Sequence, residues 1–556
     1  MMSSSVSAKR VTYSVCDEVP LLFDSFLGVL RNLLVGPRKR FDAFITPEGN
    51  LKNDAFVQKT VGLATALKRK WNLEPGDKIA LMFWNQPEFF IALFALRLIG
   101  AVPVPINILM TPEDMGYVLQ HAEVKGILGN EQLLLELAKK KGCELTQLPF
   151  PVLVANAAEE INNTFEKSLV HFSPNFDMLQ QALDAFENRL QVNELADKEL
   201  AFLIYTSGTT GYPKGVMLSE RNLLANLSGF RERVAVRPDK ERFLLGLPAF
   251  HCYGLMCALY GIAERATMVC VPKFNPKQMV EFLRTEQITI LPLVPTMFTI
   301  LLQAAKRKLG HSKPFPTLHT CISGGAALPA NLLADIEATL QVKVLEGYGL
   351  TETSPVIAVN CSQRGAVAGA VGEPLRNVRL RLVNHETGEV ISIEPHKASA
   401  EGEIQVSGDS IKLGYYKSLE ETQKVLTDDG WFKTGDLGHI DAEGLLRISG
   451  GRLKDLIIRA GENIAPLPIE RVLSQHEAVA NVAVLPLKDE KLGEAICACI
   501  ELTPTMIEMD QSQLEKELVE LARKALTPSM VPDVFRFFNE LPKNPTGKIM
   551  KKNIVL

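Results

Sequence analysis

The sequence predicts an α/β chain in two domains. The first, residues 1–450, is large and built of layered, mostly parallel sheets with helices; the second, residues 451–556, is a small α+β unit. Three observations predict this. A chain of 556 residues is too long for one ordinary core. Strand and helix signals alternate through most of the first 450 residues. The composition then changes at the paired glycines Gly450 and Gly451, so the boundary is expected at residues 450–455.

The elements follow in order. Lys78–Met82 is a short apolar run after a Pro-Gly-Asp turn and predicts a strand. An amphipathic helix is expected over Pro87–Leu98, and then a strand over residues 101–104. Asn275 and Pro276 form an N-cap and first-turn pair that opens a helix. That helix leads to a β-branched run at residues 288–294. Next come a strand at residues 318–323, a glycine-rich loop, a helix at residues 329–340 and a strand at residues 342–345. In such layers, ligands usually sit at the carboxyl ends of the strands. Past Gly451 the pattern gives a short helix at residues 468–474, alternating strands at residues 481–486 and 494–502, and a charged helix over Gln511–Ala525. This is a unit of about one hundred residues, a common domain size. There is no internal repeat, heptad array or low-complexity tract.

Composition narrows the function. Hydrophobic residues make up 46% and charged residues 22%, the balance of a soluble globular protein. A net charge of −4 gives no reason to expect nucleic acid or another polyanion as partner. The nine cysteines contain no CxxC pair. Cys497 and Cys499 alternate with Ala495 on one strand face and read as buried free thiols. A reducing, cytoplasmic setting fits. The polar, Ser-rich N-terminus lacks an apolar signal region. Residues 89–110 are broken by Arg97, Pro103 and Pro105, and read as a helix running into a strand, not as a membrane span. Leu22, Phe26, Leu30, Leu33 and Leu34 recur at helical spacing before Arg38, Lys39 and Arg40. That pattern suits a first helix facing the core, and also a helix in peripheral contact with a membrane; the core reading is preferred.

Residues 205–215 read YTSGTTGYPKG and follow an apolar strand at residues 200–204. Thr206, Ser207, Gly208, Thr209 and Thr210 are small residues. They let the backbone approach a polyphosphate while amides and hydroxyls donate to its oxygens. Lys214 adds a mobile positive charge. The string does not fit the GxxxxGK[ST] pattern, which disfavours a P-loop NTPase.

This loop resembles the phosphate-loop signature of the superfamily of acyl-CoA synthetases, luciferases and peptide-synthetase adenylation domains. Further motifs of that adenylate-forming superfamily follow in its order: GYGLTET at residues 347–353, TGD at 434–436, GRLKDLIIRAGENI at 451–464 and PTGKI at 545–549. The overall pattern, including GAVPVPIN at residues 100–107 and GENIAPLPIE at 461–470, most resembles bacterial fatty-acid and medium- to long-chain synthetases.

The resemblance implies ATP, Mg²⁺ and CoA as reactants and a site residue by residue. Tyr348, between Gly347 and Gly349, would pack on adenine, and stacking on a base is a sequence-tolerant contact. Thr351 would reach the α-phosphate, and Glu352 would hold Mg²⁺, for which a carboxylate is the right hard ligand. Asp436 would bind the ribose, and Arg452 the ribose or phosphate. Lys454 would be the hinge about which a mobile C-terminal domain turns, and Lys548 the catalytic lysine of adenylation. His251 would lie near the acyl carboxylate, and Gly324, Gly325 and Ala326 between the acyl pocket and the nucleotide. A metal role for His251 is disfavoured, because no second ligand stands at metal spacing. Leu255, Met256, Ala258, Leu259, Ala326 and Leu328 imply an apolar lining for an alkyl or aryl acid; core packing is an equal reading for Leu255, Met256 and Leu259.

The activity implied is conversion of a carboxylic acid, best a fatty acid, to acyl-AMP and then to acyl-CoA. Alternatives are transfer to an acyl carrier protein, luciferase-like monooxygenation, or acyl-nucleotide binding without catalysis. Retention of Lys214, Glu352, Asp436, Arg452 and Lys548 argues against the last.

Overall fold

The computed structural model describes residues 20–35, 40–140, 152–155, 183–186, 199–206, 212–307, 315–452, 455–459, 462–489, 492–503, 506, 510–543 and 549–556. Its centre is a nine-stranded sheet. Six neighbouring strands run parallel in the order Lys343–Gly349, Thr320–Ser323, Ile290–Leu293, Arg242–Leu245, Thr267–Cys270 and Asp42–Thr46. Antiparallel strands close both edges. A second, four-stranded sheet is parallel throughout, in the order Val102–Pro105, Lys78–Met82, Gly126–Asn130, Val152–Ala155. Two antiparallel sheets follow: Gly414–Tyr415 with Lys214–Leu218 and Phe202–Thr206, and Arg379–Val383 with Gly402–Ser407, Phe432–Ile440 and Leu446–Arg452. The expected α/β layering is therefore present.

The helices form for local reasons. The Asn275 side chain accepts from the amides of Lys277 and Gln278, and Pro276 starts the helix Pro276–Thr285. Ser219 and Asn222 form a reciprocal capping box at the start of Glu220–Arg233. The first helix, Phe26–Leu34, buries Phe26, Leu30, Leu33 and Leu34, which supports the core reading. Phe26 meets Phe94 and Phe202 at ring separations of 5.4 and 5.1 Å, tying that helix to the helix Pro87–Leu98 and to the strand Phe202–Thr206. Pro87–Leu98 departs from expectation. It is not amphipathic but buried nearly all round, from Phe89 through Leu96. A helix between layers has no free face to leave polar. Its one cation, Arg97, turns to Glu220 at 2.8 Å.

The C-terminal part has its own core around Ile457, Leu473, Ile500 and Leu518. Its strands Val479–Asp489 and Gly493–Leu502 form a long antiparallel pair, Val534–Phe538 runs parallel to the second, and the helix Gln511–Ala525 has the expected bounds. Cys497 and Cys499 are buried and unbridged. The strand Leu446–Arg452 carries Gly450 and Gly451, and the helix Pro466–Leu473 packs against that strand. No helix among the described residues is long and apolar enough to cross a membrane.

Candidate active site

Thr320–Ser323 and Lys343–Gly349 are parallel neighbours, with Ser323 opposite Glu346. Both end on the same side, so residues 324–326 and 350–352 leave the sheet next to one another, with Tyr348 among the last paired residues of its strand. This is the position at which open α/β sheets hold ligands. Gly349 is required by close approach: a Cβ there would stand 1.8 Å from the Pro355 carbonyl oxygen. Gly324 faces the Tyr253 ring, 3.2 Å from where its Cβ would be. The Tyr253 hydroxyl donates to the Ile322 carbonyl at 3.0 Å.

Tyr348 donates its hydroxyl to Asp436 Oδ2 at 2.6 Å, which joins two motifs 88 residues apart. Asp436 lies within the strand Phe432–Ile440, only 7% exposed, and not in a surface turn. Arg452 is opposite it in the register. Thr351 and Glu352 form a single 3₁₀ turn at the end of the Tyr348 strand, and both are half-buried. Thr206 pairs with Lys214 across the hairpin that carries the glycine-rich loop. The Lys214 ammonium is ion-paired with Glu421, which pulls the Glu421 carboxyl down to about 2. It also lies 5.4 Å over the Tyr415 ring.

His251 occupies the N-cap position of the helix Cys252–Ala263 without a side-chain capping bond among the described residues, and its amide donates to the Pro248 carbonyl at 3.1 Å. Leu255, Met256, Ala258 and Leu259 are wholly buried in the main core, so core packing accounts for them. Ala326 is exposed, and Leu328 is buried with its amide donating to Glu346 at 3.0 Å. Burial pushes the Glu346 carboxyl up to about 7. Ser207, Gly208, Thr209, Thr210, Lys454 and Lys548 lie outside the described residues, as does the Arg452 side chain.

The motifs did not reveal the segment that links these parts. The short strand Gly414–Tyr415 pairs with Lys214–Leu218, and alternation sends Tyr415 and Tyr416 to opposite faces. The Tyr415 hydroxyl donates to Glu352 Oε1 at 2.8 Å. Tyr416 instead meets His121 edge-on at 5.7 Å. His121 belongs to an aromatic ladder. Tyr212 stacks on Tyr117 at 4.4 Å, Tyr117 on His121 at 5.1 Å, and His121 Nδ1 lies 2.7 Å from the Tyr205 hydroxyl. Tyr117 and His121 sit four apart on the helix Pro112–His121, so one helix holds the chain just before and just after the glycine-rich loop. Tyr117→Ala removes both stacks, each worth about 0.5–1.5 kcal/mol. The variant's KM for the ATP that the motifs imply should rise up to about tenfold with a smaller change in kcat, read from initial rates at varied ATP.

Comparison with known proteins decides the family. Residues 54–416 match the model of the AMP-binding enzyme family, and residues 468–548 that of the AMP-binding enzyme C-terminal domain. The chain belongs to the AMP-binding enzyme family. It is 32% identical over 500 residues to a long-chain-fatty-acid–CoA ligase of Bacillus subtilis, covering 87% of this chain and 86% of that one. It is 31% identical over 524 residues to a 2-succinylbenzoate–CoA ligase of Bacillus cytotoxicus, covering 92% and 96%. The ATP-bound MatB structure from Rhodopseudomonas palustris superposes with a TM-score of 0.77 at 27% identity, covering 95% and 98%. The chain is accordingly an adenylate-forming acid–CoA ligase that uses ATP and CoA.

Proposed function

We propose that this AMP-binding enzyme activates a fatty acid. The acid and ATP give acyl-AMP and pyrophosphate; the CoA thiol then displaces AMP to give the acyl-CoA. The contact between Tyr348 and Asp436, beside Thr351 and Glu352, carries the reading. It unites an aromatic face for a base, a buried carboxylate for ribose hydroxyls and a turn for phosphate. In this reading Tyr348 packs on adenine, Asp436 accepts from the ribose, and Arg452 reaches ribose or phosphate. Thr351 and Lys214 orient the phosphates, while Gly324, Gly325 and Ala326 leave room at the backbone for the acyl group. His251 stands at the acyl carboxylate. Residues 1–450 and 451–556 act as two domains, with Lys454 as hinge, and Lys548 bridges the acid and the α-phosphate. Fatty acid as substrate is supported by the 32% identity to the Bacillus subtilis ligase. An aryl acid is the second reading, supported by the 31% identity to a 2-succinylbenzoate ligase.

The donor set fits Mg²⁺. Among the described residues no group of three His, Cys, Asp or Glu side chains could hold a metal by itself. Glu352, tied by Tyr415, suits an ion that takes one or two carboxylates and completes its shell with phosphate oxygens and water. Bound there, Mg²⁺ would neutralise phosphate charge. Glu352→Gln keeps the shape and removes a charged ligand, so the Mg²⁺ concentration for half-maximal rate should rise; an unchanged midpoint would remove Glu352 from the metal site. A panel of acids from acetate to oleate, with benzoates included, tests the substrate class through CoA-dependent AMP release. Fatty acids of medium or long chain should give the highest kcat/KM. Preference for an aryl acid would overturn that choice.

A further inference from the structure

Lys412 is a buried cation that no motif assigns. It is 6% exposed, and among the described residues its ammonium nitrogen has no hydrogen-bond partner. Instead it rests on two ring faces, 3.8 Å from the Phe432 centroid and 4.2 Å from that of Tyr415. Such faces return part of the cost of burying an ammonium, but not the several kcal/mol of its lost hydration. A position of this kind is a poor choice for stability alone.

Its surroundings indicate what the charge is for. The Lys412 amide donates to the Glu352 carbonyl at 2.9 Å, so the side chain departs from directly beside the Thr351–Thr353 turn. The Tyr415 ring beneath the ammonium is the one whose hydroxyl holds Glu352. The same ring lies under the Lys214 ammonium, at 5.4 Å, so Glu352, Lys214 and Lys412 meet around Tyr415. Lys214 pairs with Glu421, a carboxylate that Lys424 shares at 2.9 Å, whereas among the described residues Lys412 has no ion-pair partner within 4 Å. With the Lys424 and Glu420 that share in the Glu421 pair, the charges of Lys214, Lys412, Lys424, Glu352, Glu420 and Glu421 sum to zero among the described residues. A cation arriving with the nucleotide would leave the cluster positive, ready for an anion.

We propose that Lys412 is a positioning residue of the nucleotide site: a ring-bound ammonium behind Glu352 that favours triphosphate over monophosphate through its charge, without touching either. The proposal rests on the adenylation reading above. A buried charge in low dielectric acts over several ångströms, and its pull scales with the charge of the ligand. ATP without metal carries about twice the charge of AMP, so loss of Lys412 should weaken ATP binding more than AMP binding.

The test measures Kd for ATP and for AMP by calorimetry on the full chain, in EDTA, and compares their ratio. Lys412→Met keeps length and apolar packing; it should raise Kd(ATP)/Kd(AMP) about tenfold over the wild type. Lys412→Arg keeps the charge and should stay within about threefold of the wild type. Tyr415→Phe keeps the ring and should leave the ratio unchanged, while raising the Mg²⁺ needed for half-maximal ATP binding. An unchanged ratio in Lys412→Met, or equal changes in the Met and Arg variants, would overturn the proposal in favour of packing. Should Lys412→Met show no cooperative melting, Lys412→Gln carries the test. It removes the charge while keeping a polar end, should raise the ratio about tenfold, and no change would overturn the proposal. Failure of the wild-type protein to bind either nucleotide would instead refute the adenylation reading.

Discussion

Lys548→Ala should lower the rate of acyl-adenylate formation roughly 10²–10³-fold while largely sparing the conversion of supplied acyl-AMP to acyl-CoA. Negative charge concentrates on the α-phosphate as the acid attacks. Loss of one stabiliser of such charge typically costs about 2.7–4 kcal/mol. The lysines that flank Lys548 in the sequence have partners of their own. Lys543 and Ile549 bridge the base of the Pro-Thr-Gly-Lys segment. Lys543 is ion-paired with Glu501 at 2.6 Å, and Lys551 with Glu470 at 2.7 Å. Those two lysines therefore serve the C-terminal fold, and their replacement should affect stability first. Single-turnover measurements of each half-reaction check the prediction; equal loss in both would assign Lys548 a structural role.

Glu220→Ala should destabilise the N-terminal part by about 3–5 kcal/mol, because it leaves a buried guanidinium uncompensated. Arg97 and Glu220 have side chains only 12% and 10% exposed, and their contact is 2.8 Å. Glu220 also accepts the Phe26 amide at 3.2 Å, while Arg97 donates to the Ala101 carbonyl at 2.7 Å. One carboxylate thus holds together the first helix, the buried helix Pro87–Leu98 and the helix Glu220–Arg233. Denaturant unfolding should show a lower midpoint at an unchanged slope. Arg97→Met combined with Glu220→Leu should recover much of the loss, since no unpaired charge then remains.

The same residues show what the sequence could and could not reveal. Local chemistry was readable where it acts within a few residues. The Asn275–Pro276 helix start and the charged helix Gln511–Ala525 are examples, and both lie as expected. Pro87–Leu98 misled because Glu88 and Arg97 look like a polar face; only the fold supplies Glu220, 123 residues away, to pair the arginine. Tyr348 and Asp436 were legible through motifs, but their 2.6 Å contact depends on how distant strands are placed. Tyr415 and Lys412 were missed for a related reason. Nothing local says which tyrosine of Gly-Tyr-Tyr-Lys turns toward Glu352, since that follows from pairing with Lys214–Leu218. Leu255, Met256 and Leu259 could be read as pocket or core from the sequence, and burial assigns them to the core.

The central claim is that one chain first adenylates an acid and then hands it to CoA. Pyrophosphate release, followed in real time with and without acid and CoA, tests this most directly. With acid and ATP alone, the account predicts a stoichiometric burst that stops as acyl-AMP fills the site. Added CoA should convert the burst to steady turnover, with AMP as the nucleotide product. Release that is independent of acid, or turnover that yields ADP and phosphate, would contradict it.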